Sequence, residues 1–250
     1  MLSEKRWRSD LVMHLALWVM VCFFVGNLGG ALIEQSRPPG PAKVVSAPSS
    51  VWPLVISVVS FQGVILVLTP LFLRRHDTDS NEAFGFRFSW KHAVLLGVVV
   101  AYIYLWIGQL LKYLSVMFMN WISLAAQDQI SVQVLHNSPL GDRVVLGVIA
   151  IAVAPIAEEI FFRGILYPAI KQNGYPRLAI WSTSLAFGAI HCNMATFLPL
   201  TCMALVLIWL YERTDNLIAP ITAHSVFNAL NMAWDSLWVQ KTFKWLLPPA

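Results

Sequence analysis

The run from Val144 to about Ile170 limits what this chain can become more than any other feature. It is apolar over the length of roughly 20 residues that a bilayer crossing requires. Yet it contains Ala154-Pro-Ile-Ala-Glu-Glu-Ile-Phe-Phe-Arg-Gly164, with two adjacent carboxylates and one guanidinium. A charged side chain at bilayer depth costs at least ~2.5 to 3.5 kcal/mol even on the lenient insertion scale, so three together mark a functional site. Glu159 and Arg163 stand at i and i+4 with the acid first, the favourable order, and can neutralise each other. Glu158 lies about 100° farther round a helix of ~3.6 residues per turn and needs a partner from another segment.

Composition places the rest of the chain in the same environment. With 58% hydrophobic and 12% charged residues, the sequence reads as an all-α, polytopic transmembrane helical bundle forming one integral membrane domain, with the lipid bilayer as its first partner. The net charge of +4 does not indicate nucleic acid, because no basic segment interleaved with aromatics is present. Lys and Arg flank apolar runs instead, as they do where they orient membrane helices. Cys22, Cys192 and Cys202 lack CxxC spacing, so neither a disulfide framework nor a thiolate zinc site is expected and they read as packing residues.

In chain order about seven spans are expected. The first runs from Leu11 to Ile33 behind Lys5, Arg6 and Arg8; it exceeds a signal-peptide core and lacks a good small-x-small cleavage site, so a retained helix is expected. A Pro- and Ser-rich loop over 34–50 leads to a second span, Val51 to Leu73. His76 to His92 mixes charges with Phe84, Phe86, Phe88 and Trp90, which suits an interfacial segment with its rings at headgroup level. The third span is Ala93 to Leu111, followed by a long connection to Asp142 whose polar run at Gln127 to Gln129 suits a helix lying on the membrane. Residues 1–142 thus hold N-terminal spans and interfacial segments, and 143–239 hold four more spans: Val144 to Ile170, Leu178 to His191, Ala195 to Tyr211 and Leu217 to Val239. Pro155 is expected to kink the first of these and free backbone groups. A basic, aromatic tail closes the chain at 240–250, and no internal repeat is visible.

Lys and Arg set the expected orientation. With the segment before the first span in the cytoplasm, that side collects Lys5, Arg6, Arg8, Arg74, Arg75, Arg87, Lys91, Lys171, Arg177 and Arg213, against Arg37, Lys43, Lys112, Arg143, Lys241 and Lys244. The positive-inside rule then gives N-in and C-out, in a bacterial inner membrane. At 1.5 Å rise per residue, Glu158 lies roughly 20 Å from Lys171, His191 roughly 21 Å from Arg177 and Asn228 roughly 18 Å from Asn216. Three helices therefore bring polar side chains to similar depth. Phe187 and His191 share a face at i and i+4, and His224, Asn228, Asn231 and Asp235 form one stripe of the last span. A structural reading competes: an isolated membrane histidine often only bonds a carbonyl, and Asn231 and Asp235 suit a hydrogen-bonding packing face.

Taken together, Glu-Glu-x-x-x-Arg at Glu158, Glu159 and Arg163, Phe-x-x-x-His at Phe187 to His191, and His-x-x-x-Asn at His224 to Asn228 resemble the intramembrane CAAX-protease and bacteriocin-processing family, which includes the Rce1-like prenyl-protein proteases. The resemblance covers roughly Val144 to Asn231, including Tyr211-Glu-Arg-Thr-Asp and Ala219-Pro-Ile-Thr-Ala-His224. It implies an α-helical intramembrane endopeptidase acting on membrane-proximal peptides or proteins. It also implies that Glu158 and His191 activate water and that His224 and Asn228 stabilise the oxyanion, with Glu159, Arg163 and Phe187 in support.

That division of labour is chemically coherent. A positioned base contributes ~10²–10⁴ to amide hydrolysis, and one oxyanion donor is worth ~10²–10³. Other classes stay open. A proton-coupled transporter would also gather Glu, His and Asn in one layer, though usually with repeats in both halves, and a non-catalytic scaffold would keep the motif for packing. Zinc is the alternative cofactor, with Glu158, His191 and His224 as ligands. Against it, the HExxH spacing is absent and Asn228 suits an oxyanion donor better than a metal ligand, so no cofactor is expected.

Overall fold

A computed structural model of the protein describes residues 2–4, 7–36, 51–86, 89–127, 129, 132–134 and 138–236. Most of the expected 34–50 loop, the 240–250 tail, the end of the last expected span, the Asp235 side chain, and Lys5, Arg6, Arg37, Lys43, Arg87, Phe88, Asp128, Lys241 and Lys244 lie outside the described residues. Every regular element among the described residues is helical. The helices of the bundle are α1 (Ser9–Gln35), α2 (Trp52–Arg74), α3 (Ser80–Phe84), α4 (Trp90–Trp121), α5 (Leu140–Gln172), α6 (Pro176–Ala189), α7 (Met194–Thr214) and α8 (Ile218–Ser236). Three π-turns interrupt them: Val59–Gly63 in α2, and Ile149–Val153 and Ile160–Leu166 in α5.

Five of these helices, α1, α2, α4, α5 and α7, are long and apolar enough to cross a membrane, and the protein is an integral membrane protein. Of the about seven spans expected, these five meet that description among the described residues. The 14 residues of α6 rise only about 21 Å against a hydrocarbon core of about 30 Å. The 19 residues of α8 are long enough, but the polar stripe through His224, Asn228 and Asn231 makes it less apolar than a lipid-facing span. The third expected span also extends ten residues beyond Leu111, to Trp121, because one Lys at position 112 does not stop a helix whose apolar pattern continues.

Lipid exposure separates the helices. Only 17% of the most apolar window is buried in α1 and α2, against 44% in α5 and 50% in α7, so the last four helices form the interior and the first two a flank. Met13, Leu17, Trp18, Phe24 and Leu28 of α1, and Tyr102, Trp106, Leu110 and Phe118 of α4, face outward. An apolar surface of that extent belongs against hydrocarbon. Where lipid and protein are equally apolar, helices associate through close packing of small residues. Gly97 of α4 is such a point: a Cβ there would come within 2.7 Å of Ala219 O and 2.9 Å of Thr222 Cβ on α8.

One end of the bundle is tied by hydrogen bonds. The Leu2 amide donates to Asp215 Oδ1, and Leu217 N–H donates to Phe84 O at 2.9 Å. Lys171 Nζ meets both Glu212 carboxylate oxygens at 2.8 and 2.9 Å. Arg8 N–H donates to His76 Nε2 at 3.0 Å, so His76 carries its proton on Nδ1 and gives it to Phe72 O at 2.8 Å. The cationic residues Arg8, Arg74, Arg75, Lys171 and Arg213 therefore sit at the same end. The expected headgroup layer of aromatics is revised here. Phe84 is buried under α5 and α8, because Gly85, at φ +70° with Asp215 O 2.5 Å from where its Cβ would be, turns the chain inward.

Pro168 explains a further tie. It has no N–H, and the π-turn before it ends with Tyr167 N–H on Phe162 O, so the carbonyls of Arg163 and Gly164 cannot both keep a helical donor. The indole of Trp7 supplies one, Nε1–H to Gly164 O at 3.0 Å. Trp7 N–H also donates to Gln172 Oε1 at 2.7 Å, and Gln172 Nε2 returns a bond to Trp7 O at 2.5 Å.

Widening Gly97 should damage the α4–α8 crossing. Gly97→Val is expected to cost about 1–3 kcal/mol by overpacking, seen as a fall of several degrees in the thermal transition of detergent-solubilised protein. Gly29→Ala, with open space around its Cβ, should leave the transition unchanged.

Candidate active site

The acidic motif sits between the π-turns of α5. Glu158 and Glu159 are 5% and 0% exposed, and Arg163 is 1% exposed. Arg163 Nη1 donates to Glu159 Oε1 at 2.8 Å, and Nη2 reaches Ala204 O of α7 at 3.3 Å. The guanidinium lies 4.6 Å from the Phe187 ring centroid, within the range of a cation–π contact. Phe187 is wholly buried and also touches the rings of His191 at 5.2 Å and His224 at 5.5 Å. One phenyl ring thus spaces the three basic groups.

His224 of α8 completes the cluster. Its Nδ1 is 2.9 Å from Glu159 Oε1, the oxygen that also accepts from Arg163. A carboxylate oxygen accepts, so Nδ1 carries the proton and Nε2 points away from Glu159. Nε2 lies 3.9 Å from Glu158 Oε2. The two glutamates therefore bracket one imidazole, Glu159 fixing its tautomer and Glu158 facing its second nitrogen.

His191 and Asn228 occupy the edges. His191 lies in the turn just beyond α6, where Cys192 adopts φ +48° and Asn193 caps α7 by accepting the Thr196 N–H at 3.0 Å. Its Nδ1 meets Phe187 O at 2.8 Å. Asn228 stands one turn beyond His224, about 6 Å along the helix, and its Nδ2 donates to Ala150 O at 2.8 Å. The π-turn accounts for that bond. In its i to i−5 register Ala154 N–H bonds Ile149 O, so Ala150 O awaits a donor from residue 155, which is proline. Asn228 fills the vacancy left by Pro155, and no hydrogen bond joins it to Glu158, Glu159 or His224. Asn231 accepts from Gln109 of α4 at 2.8 Å.

Sequence reasoning missed one member. Gln62, in the π-turn of α2, donates Nε2–H to Glu158 Oε1 at 3.0 Å. The available signal was an amide side chain within an apolar span, which needs a partner when removed from water.

A zinc ion held by Glu158, His191 and His224 would need their donor atoms to converge. Among the described residues no three His, Cys, Asp or Glu side chains form such a ligand group.

The helices that build this constellation coincide with a recognisable segment. Residues 140–230, from the start of α5 into α8, match the family described as type II CAAX prenyl endopeptidase Rce1-like. This segment is Rce1-like. Within it lie Glu158, Glu159, Arg163, Phe187, His191, His224 and Asn228, whereas Gln62 lies outside. Similar curated proteins include YdiL of Bacillus subtilis, provisionally named a membrane peptidase, at 33% identity over 81 residues, 32% of this chain and 33% of YdiL. YpbD of the same organism, uncharacterized, is 35% identical over 78 residues, 30% of this chain and 37% of YpbD. The UPF0177 protein YxdF of Lactococcus lactis is 26% identical over 129 residues, 51% of this chain and 68% of YxdF. The chain spans about a third of the length of YdiL and YpbD. No solved structure matches it.

The two adjacent glutamates of the Rce1-like segment should respond differently to the same change. Glu159→Gln leaves Arg163 buried without its counter-charge, a loss of about 3–5 kcal/mol, so thermal unfolding should begin far earlier than in the parent. Glu158→Gln, which leaves the Arg163–Glu159 pair intact, should unfold much closer to the parent. Equal transitions for the two variants would contradict this assignment.

Proposed function

We propose that this protein is an intramembrane endopeptidase that hydrolyses peptide bonds in membrane-proximal peptides or proteins. The observation that carries the reading is the unequal pair of buried carboxylates. Glu159 is neutralised by Arg163, while Glu158 keeps an oxygen directed toward an imidazole that Glu159 has oriented. A structural ion pair has no use for the second acid. The Rce1-like match over 140–230 supports the same assignment.

In this reading water is held by Glu158 Oε2 and His191 Nε2. Glu158 takes its proton as the oxygen attacks the scissile carbonyl carbon, and the carbonyl oxygen becomes a tetrahedral oxyanion. His224 Nε2–H and the second N–H of Asn228, the one not given to Ala150 O, stabilise that oxyanion. A donor at Nε2 requires the doubly protonated ring. With it, Arg163 and His224 balance Glu158 and Glu159, and the buried cluster is neutral. Proton return from Glu158 to the leaving nitrogen then accompanies C–N cleavage. The mechanism needs no metal. The cationic end formed by Arg8, Arg74, Arg75, Lys171 and Arg213 faces the cytoplasm of a bacterial inner membrane in this reading, by the positive-inside rule. The family description makes prenylated C-terminal tails the first substrates to offer.

Purified protein in lipid nanodiscs, incubated with membrane-tethered peptides with and without a prenyl group and analysed by mass spectrometry, tests the proposal. Cleavage is expected, with Glu158→Gln reducing it by about 10² or more and a strong chelator leaving it unchanged. Cleavage that persists in Glu158→Gln would remove the base. Activity lost to the chelator and restored by stoichiometric zinc would replace this mechanism with a metal-dependent one.

A further inference from the structure

We infer that Gln62 is a positioning residue for Glu158, so that α2, outside the Rce1-like segment, supplies part of the hydrolytic apparatus. The inference rests on Glu158 being the base.

The carboxylate of Glu158 has two chemically equivalent oxygens on a side chain with three rotatable bonds. For general-base catalysis one lone pair must point at the water and stay there. Within α5 nothing makes this choice, because Arg163 is committed to Glu159. The amide of Gln62 makes it from across the interface. By engaging Oε1 at 3.0 Å it leaves Oε2 as the oxygen facing His224 Nε2 at 3.9 Å. The bond from Gln62 thus holds one oxygen of the carboxylate and leaves the other turned to the imidazole.

The backbone around Gln62 is built for this task. Residues 59–63 form a π-turn in the middle of an otherwise α-helical span. Such a turn inserts one residue and rotates the following side chains about the axis, at a cost in backbone geometry that is often met at functional sites. Phe61, the adjacent residue in that turn, is buried and meets Phe161 of α5 at 6.1 Å between ring centroids. It anchors the turn against the helix that bears Glu158. An uncharged donor is also the appropriate group: Lys or Arg at position 62 would put a positive charge beside the carboxylate that must accept the proton and would weaken it as a base. A hydrogen bond to a charged group typically contributes enough to change a rate by about ten- to a hundredfold when lost.

Two variants separate positioning from packing. Gln62→Met keeps the length and volume without the N–H donor; Gln62→Asn keeps the amide but falls one methylene short. The first readout needs no substrate. The carboxylate stretch of Glu158, isolated as the infrared difference between parent and Glu158→Gln, should shift in both variants while the thermal transition stays put. An unmoved band overturns the inference. The second readout is turnover of a membrane-tethered peptide carrying a fluorophore and quencher. Both variants should lose kcat by about ten- to a hundredfold with KM within about twofold, and in the Glu158→Gln background Gln62→Met should cause no additional loss. An equal loss in both backgrounds means that Gln62 acts elsewhere and also overturns the inference. Normal turnover by Glu158→Gln overturns the reading of Glu158 as base, and the kinetic role of Gln62 falls with it, distinguishable by the first variant alone.

Discussion

Burial of Arg163 is the constraint to which the rest of the architecture answers. A guanidinium taken out of water loses several kcal/mol of solvation, and its attraction to one carboxylate recovers this only when the geometry is good and the remaining donors are satisfied. Here that requires Glu159 from the same helix, a carbonyl of α7 and the face of Phe187 from α6. Three helices are thereby fixed around one side chain. Because Glu159 also holds His224, the ion pair sets the orientation of an imidazole on a fourth. Stability and site geometry share the same atoms, which is why the two adjacent glutamates are so unequal in what they support.

Helix irregularity follows a consistent logic in this bundle. Proline removes a backbone donor and leaves a carbonyl exposed to hydrocarbon, where the loss is most costly. At Pro155 the open carbonyl, displaced one residue by the π-turn, is taken by Asn228; at Pro168 it is taken by Trp7. The prolines therefore create acceptors in the middle and at the end of α5, and each acceptor attaches another segment. Gln62 is presented by a third irregular turn in α2. Each of the three π-turns described carries one of these points of attachment.

Much of this was legible in the residues. Charges inside an apolar run have few ways to exist, so Glu158, Glu159 and Arg163 identified themselves, and the i, i+4 rule gave the ion pair that the structure contains. His224 and Phe187 joined the cluster because helical spacing placed them at the same depth. Other features depended on information that periodicity does not carry. The π-turns shift register by one residue without any composition signal, so neither the Asn228 to Ala150 bond nor the approach of Gln62 followed from counting. His191 lies past the end of α6 rather than within it, because Cys192 takes a left-handed conformation that no rule about cysteine suggests. The short α6 and the polar-lined α8 differ from the other expected spans in length and apolarity, which counting apolar residues alone does not separate.

The bond between Trp7 and Gly164 joins residues far apart in order of synthesis. The N-terminal segment is made first, but its indole can meet the Gly164 carbonyl only after α5 has been made. Conversely, α5 cannot satisfy its own backbone on insertion. Assembly of this protein therefore has two stages in time: individual helices first acquire their place in the bilayer, and only later does the segment ahead of α1 close over the end of the helix that bears the acids. The interval between them is a period in which the chain is inserted but its acidic helix is incomplete.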